Sequence, residues 1–156
     1  MKRCRLIWTC FPAWCRCSWP HNLCSKIRMS KRVLIVDDDL NLSRLAGMIL
    51  ESSGKYEVLI VNQSTRALAA AIQFQPEIML LDVDMPGKDG GDLAREAARD
   101  PRLRNVPILF LTGLVSHAEA GTAPLESGGM RFLAKPVEPT LLLAEVDRLA
   151  PKTIAA

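Results

Sequence analysis

Three aspartates, Asp37, Asp38 and Asp39, directly follow the aliphatic run Val33-Leu34-Ile35-Val36. Carboxylates crowded at the end of a buried strand repel one another and lose solvation. Either they stay solvated and cap a helix, or they hold a cation. Further along, Asp82 closes the apolar run 78–81, with Asp84 two residues later. Thr112 closes the run 106–111, and Lys135 closes the run 131–134. Asp37, Asp38 and Asp82 would together form an oxygen-rich pocket of the kind hard divalent cations prefer. Mg²⁺ typically takes one or two carboxylates and keeps several waters. A cation there would also relieve the repulsion among the acids. Lys135 offers a fixed positive charge for a carboxylate or a phosphoryl group, and Thr112 offers a hydroxyl donor. A nucleophilic carboxylate, a metal, a cation and a hydroxyl are the parts needed for phosphoryl transfer to a carboxylate.

These residues meet only if the elements carrying them end at one edge. The run 33–36 is continuously apolar, as in a strand buried on both faces. Leu42, Leu45, Ala46, Ile49 and Leu50 recur at helical spacing and stop near Ser53-Gly54. A second strand is expected over 56–61, then a helix capped by Ser64 or Thr65 and running to about Phe74. Strand 78–81, a turn over 87–91 and a helix over 93–99 follow, then strand 106–111. A weaker helical segment is expected over roughly 116–127, disturbed by Gly121 and Pro124. Strand 131–134 and an amphipathic helix over 140–149 complete the pattern. Alternation of this kind implies an α/β fold, a five-stranded parallel sheet with helices on both faces. In such open sheets the functional site lies outside the carboxyl ends of the strands.

The chain has 156 residues, 49% of them hydrophobic, enough for one domain with a real core. No apolar run reaches the length of a membrane span. The net charge of +3 is divided unevenly. Residues 1–30 carry six Lys or Arg and no acid; the rest carry fourteen basic and seventeen acidic groups, a net of −3. An acidic body argues against nucleic acid as its direct partner. All five cysteines and all three tryptophans also lie in residues 1–30. A cysteine-free body fits a reducing compartment. The segment 1–30 has four readings: a secretory leader, interrupted by Pro12; a metal site from Cys10, Cys15, Cys17, His21 and Cys24, at no zinc-type spacing; a basic interaction tail; or residues upstream of a true start at Met29. The last is preferred, with weak order expected there.

The stretches VLIVDDD, LLDVDMPGKDGG, ILFLTG and FLAKP, at these spacings, resemble the receiver domain of two-component response regulators. The resemblance spans residues 31–150, leaving a short tail at 151–156. It implies a doubly wound, flavodoxin-like sheet of order 2-1-3-4-5. It also implies that Asp82 accepts a phosphoryl group and that Asp37 and Asp38 bind Mg²⁺. Asp84 would offer the metal its backbone carbonyl, Thr112 would hydrogen-bond the phosphoryl group, and Lys135 would pair with it. Phe132 would be the aromatic switch, and Lys135-Pro136 a cis peptide.

The resemblance further implies a cytoplasmic phosphoprotein of a two-component phosphorelay, catalysing only its own phosphorylation and dephosphorylation. Its partners would be a histidine kinase or histidine phosphotransfer protein and a downstream protein target. No nucleic acid or membrane is expected. As no output domain follows in the sequence, a stand-alone receiver is expected. A homodimer through segment 116–127, the fifth strand and the final helix is an option. Two alternatives remain beside it: a haloacid-dehalogenase-type phosphatase using Asp82 and Asp84, and a receiver-like binding module that is never phosphorylated. Asp39 is expected to begin a helix, His117 to be a surface residue, and Asp84 to add a carboxylate where many relatives have a neutral side chain.

Overall fold

The computed structural model describes residues 30–113 and 130–150 and the backbone of 125–127. The expectations for the Cys- and Trp-rich segment, for His117, for most of segment 116–127 and for the tail lie outside those residues. Strands β1 (Lys31–Val36), β2 (Tyr56–Val61), β3 (Ile78–Asp82) and β4 (Ile108–Thr112) alternate with helices α1 (Leu40–Ser52), α2 (Ser64–Phe74) and α3 (Gly90–Arg99). Then come β5 (Leu125–Ser127), β6 (Met130–Ala134) and α4 (Pro139–Leu149). The sheet order is β2-β1-β3-β4-β6-β5, and the pairs among β2, β1, β3, β4 and β6 are all parallel. The five expected parallel strands are therefore present in the expected order. The sixth, β5, is a correction. Residues 125–127, expected to end a helix, instead pair antiparallel with β6, Leu125 opposite Phe132.

Continuous apolar strands have a simple cause. Side chains alternate faces along a strand, and here both faces are covered. Val33, Ile35, Ile78, Leu80, Leu109, Leu111 and Leu133 pack with Ala46 and Leu50 of α1 and Leu142 and Val146 of α4. Their neighbours Leu34, Val36, Met79, Leu81 and Phe110 pack on the other face with Ala67 and Ala71 of α2 and Leu93 and Ala97 of α3. Small residues on α2 let it lie close to the sheet.

Helix starts differ in part from expectation. Asp39 caps α1 as expected, its Oδ1 accepting the Asn41 and Leu42 amides at 2.9 and 3.2 Å. Gln63, without a side-chain bond, stands at the cap of α2, whereas the Ser64 hydroxyl donates to the Pro86 carbonyl at 3.2 Å. Helix α3 begins at Gly90, inside what reads as a turn, because the Asp89 side chain caps it through the Asp92 amide.

At the far end of the sheet, the Tyr56 hydroxyl donates to Asp147 of α4, and Lys55 Nζ donates to the same carboxylate at 2.8 Å. These contacts tie edge strand β2 to α4. Burial, then the hydrogen bond and charge of Asp147, push the Tyr56 hydroxyl far above the ordinary phenol value of 10.0. The Lys55 ammonium, then the Tyr56 hydroxyl, hold Asp147 below the ordinary carboxylate range. A raised acid in the folded state stabilises fully below its unfolded value, and that contribution fades as pH rises past it. Tyr56→Phe should therefore cost about 1 kcal/mol at pH 7. Urea unfolding should show the gap to the parent chain narrowing above about pH 10. A gap that stays constant through pH 11 would contradict this role for the hydroxyl.

Candidate functional site

Strands β1, β3, β4 and β6 run side by side in parallel, so their carboxyl ends share one edge. Asp37 follows β1, Asp82 ends β3, Thr112 ends β4 and Lys135 follows β6. The Lys135 ammonium lies 2.8 Å from Asp37 Oδ2 and 3.0 Å from Asp82 Oδ2. Asp37 is fully buried, and Asp82 and Thr112 are each 4% exposed. The backbone of β6 is tied to that of β4 where it matters, the Lys135 amide donating to the Thr112 carbonyl at 2.8 Å. The peptide bond Lys135-Pro136 is cis, as expected.

The three consecutive aspartates divide the work. Asp39 caps α1. Asp37 turns inward, and its Oδ1 accepts the Asp39 amide at 2.9 Å. Asp38 is exposed at the mouth of the site. One oxygen from each of Asp37, Asp38 and Asp82 can lie within 4.8 Å of the others. Asp84 is exposed like Asp38 but lies outside that cluster, and it meets the site through its main chain, its amide donating to Asp82 Oδ1 at 3.3 Å. Phe132 is half-buried on the α2–α3 face and stacks on Phe110, ring centroids 5.1 Å apart and planes at 21°. Phe110 carried no signal beyond its place in an apolar run. Only the register pairing Phe110 with Phe132 reveals it.

The electrostatics fit an acceptor of positive charge. Burial raises the Asp82 pKa above the ordinary carboxylate value; Lys135 opposes the shift and Asp37 adds to it. Burial also works against the charged form of Lys135. The carboxylates of Asp37 and Asp82 outweigh it and lift the ammonium above its ordinary value. Lys135 therefore stays protonated at neutral pH. Three carboxylates against one ammonium leave a formal charge of −2. Oδ2 of Asp37 is buried with no aligned hydrogen-bond donor; the Lys135 contact is an ion pair whose direction falls outside hydrogen-bond geometry. A buried lone pair left over in a hard-oxygen cluster suits a divalent cation. The residues present thus fit Mg²⁺, with Asp37, Asp38 and Asp82 as the groups that would hold it.

Residues 33–147 match the family described as the response regulator receiver domain. The chain is 38% identical over 122 residues to the response regulator PleD of Caulobacter vibrioides, covering 78% of this chain and 26% of PleD. It is 33% identical over 118 residues to the DNA-binding response regulator MtrA of Mycolicibacterium paratuberculosis, covering 76% of this chain and 50% of MtrA. It thus spans about a quarter to a half of the curated relatives it matches. Among solved structures, the chemotaxis response regulator CheY4 of Vibrio cholerae superposes with a TM-score of 0.63 at 26% identity, covering 76% of this chain and 98% of that one. A CheY-like response regulator receiver domain protein from Methanospirillum hungatei JF-1 gives 0.62 at 28%, covering 76% and 91%.

Clustered negative charge costs stability until a cation arrives, which gives a thermodynamic test. In calorimetry, Mg²⁺ at ten times its dissociation constant should stabilise the chain by about 1.4 kcal/mol. A raised carboxylate pKa means that ionised Asp82 destabilises the fold at neutral pH. Its contribution is favourable below the unfolded value and lost above it. Asp82→Asn should therefore melt several degrees higher without Mg²⁺ and respond less to the ion. A lower melting temperature for Asp82→Asn would show that the carboxylate is there to hold the fold.

Proposed function

Because the chain belongs to the response regulator receiver domain family, we propose that it is a phosphoacceptor in which Asp82 carries the phosphoryl group. Receivers of this family partner with histidine kinases; here the donor is proposed to be a phosphohistidine on a kinase or on a histidine phosphotransfer protein. One observation carries the assignment: a single ammonium, Lys135, bridges the buried Asp37 and Asp82 at 2.8 and 3.0 Å at the carboxyl edge of the sheet.

In the proposed transfer an Asp82 carboxylate oxygen attacks phosphorus as the phosphorus–nitrogen bond of the donor breaks. The electron pair of that bond returns to the imidazole, and no redox change occurs. The Asp84 amide holds Asp82 Oδ1 at 3.3 Å and limits rotation of the carboxylate. Lys135 is placed to follow the charge from Asp82 to the phosphoryl oxygens. Thr112, buried at the adjacent strand end, would donate its hydroxyl to one of those oxygens. When bound, Mg²⁺ neutralises charge developing on the phosphoryl oxygens. Asp37 and Asp38 are the residues that would hold it beside Asp82, together with the Asp84 carbonyl.

Output is proposed to be protein binding or onward phosphotransfer, with Thr112 and Phe132 relaying the charge change as a shift between two packings. The Phe110 ring is the surface Phe132 now rests on. MtrA is a DNA-binding response regulator; for this chain, whose residues 31–156 carry a net charge of −3, the proposed partners are proteins, with no direct contact to nucleic acid. Cytoplasmic placement is likewise part of the proposal; among the described residues no helix is long and apolar enough to cross a membrane. The phosphatase alternative needs the Asp84 carboxylate as acid–base partner of Asp82. What Asp84 turns toward Asp82 is its amide, and the observations favour the receiver reading.

Incubation of the full chain with acetyl phosphate and Mg²⁺ should add the mass of one phosphoryl group, absent in Asp82→Ala. Thr112→Ala should slow the reaction by about tenfold or more. No mass shift with acetyl phosphate or with a competent kinase would instead favour the unphosphorylated binding module.

A further inference from the structure

Helix α3 begins at Gly90, which lies against the backbone of Asp82 with nothing between them. A Cβ built on Gly90 would stand 2.2 Å from the Asp82 carbonyl oxygen, 3.1 Å from its carbon and 3.5 Å from Leu81 Cβ. The contact would have to open by ~0.8 Å to reach even 3.0 Å, and real Cβ atoms essentially never come closer than that. The first obstacle is main chain on a fully buried strand, so no flexible side chain can give way. The need for glycine here is steric, since Gly90 has no positive φ, unlike Gly87 at +90°.

The same contact closes the loop from β3 to α3 on its own starting point. The Gly90 amide donates to the Val83 carbonyl at 3.3 Å, and the Val83 amide donates to Leu111 of β4 at 3.0 Å. Within the loop, the Asp84 amide reaches back to Asp82 Oδ1, and the buried Met85 and the Pro86 carbonyl, bonded to Ser64, pin its middle. Moving Gly90 away from the Asp82 carbonyl must rotate the Asp82 peptide or withdraw α3. Rotating the peptide turns the Asp82 carboxylate relative to Lys135, and withdrawing α3 pulls on the Val83 carbonyl, one residue from Asp82, through the Gly90 amide.

We infer that Gly90 is a positioning residue for the phosphoryl acceptor: its missing side chain lets α3 buttress the Asp82 main chain and so sets where the carboxylate points. This rests on the phosphoacceptor reading of Asp82 and assigns a role to a residue that touches neither donor nor cation. The neighbouring Gly91 provides the control. A Cβ there would meet the Asp89 side-chain oxygen that caps α3, at 3.2 Å, and nothing of the Asp82 main chain.

The test compares the parent chain, Gly90→Ala and Gly91→Ala, with acetyl phosphate as donor and intact mass as readout. Misplacing a reacting group by about 1 Å can cost as much as 100-fold. Gly90→Ala should therefore lower the maximal rate ~10- to 100-fold with the KM for acetyl phosphate within about threefold of the parent, and should weaken Mg²⁺ binding severalfold. Gly91→Ala should stay within about twofold in all three. A folded Gly90→Ala phosphorylated at the parent rate would overturn the inference while leaving the phosphoacceptor reading intact. A parent chain that takes no phosphoryl group from any donor would overturn that reading itself. If Gly90→Ala does not fold, hydrogen exchange on the parent chain decides. Loading with beryllium fluoride and Mg²⁺ should change exchange at the Gly90 amide severalfold, and an unchanged rate there would overturn the inference.

Discussion

One ammonium group shared between two buried carboxylates is the constraint around which the site is organised. Lys135 follows β6, Asp37 follows β1 and Asp82 ends β3. None of the three is tolerable alone at its depth. A lone buried carboxylate takes up a proton and a lone buried ammonium loses one. Together, the carboxylates at 2.8 and 3.0 Å outweigh the loss of solvation for Lys135 and keep it an ammonium, while at Asp82 burial outweighs the pull of Lys135 and the pKa stays raised. The arrangement requires parallel strands whose carboxyl ends are level. The register delivers that: Asp82 lies beside Leu111, one residue short of Thr112, and Thr112 beside Ala134, one residue short of Lys135. A slip of one residue would exchange the side chains facing α1 and α4 with those facing α2 and α3, and would carry a strand-end group about 3.3 Å along the sheet, away from its partners.

The two-sided core is what holds the strand ends level. Successive residues of β1 and β3 alternate between the α1–α4 face and the α2–α3 face, both closed to solvent. A strand anchored on both faces has little freedom to slide. That rigidity suits a site whose chemistry depends on placing one carboxylate oxygen. The regions expected to respond to phosphorylation sit at the margin of this frame. Phe132 is half-buried, and β6 is flanked by the short strand β5.

Much of this was legible in the sequence because its signals are local. Continuous apolar runs announced buried parallel strands, and polar residues at the ends of those runs announced the site. Asp39 was legible as a cap because an aspartate one residue before an amphipathic helix has that geometry. What escaped depends on contacts distant in sequence. The cap of α2 was misplaced because the Ser64 hydroxyl is drawn to the Pro86 carbonyl, 22 residues away. Helix α3 starts earlier than its pattern suggests because Gly90 serves close packing, where glycine usually signals a turn. The stack of Phe110 on Phe132 and the link from Tyr56 to Asp147 likewise join residues that no local period connects. Strand β5 was read as helix because Gly121 and Pro124 weaken the helical signal without specifying a replacement.

The central claim is that Asp37, Asp38 and Asp82 form one divalent-cation pocket, its excess charge only partly offset by Lys135. The most direct measurement is a titration of ¹⁵N-labelled chain with Mn²⁺, which substitutes for Mg²⁺ at oxygen sites and broadens nearby resonances. The account predicts selective loss of the amide signals of residues 37–39, 82–84 and 135 at substoichiometric Mn²⁺, reversed by excess Mg²⁺. Broadening that spares these amides, or that spreads evenly over exposed acidic residues, would contradict it.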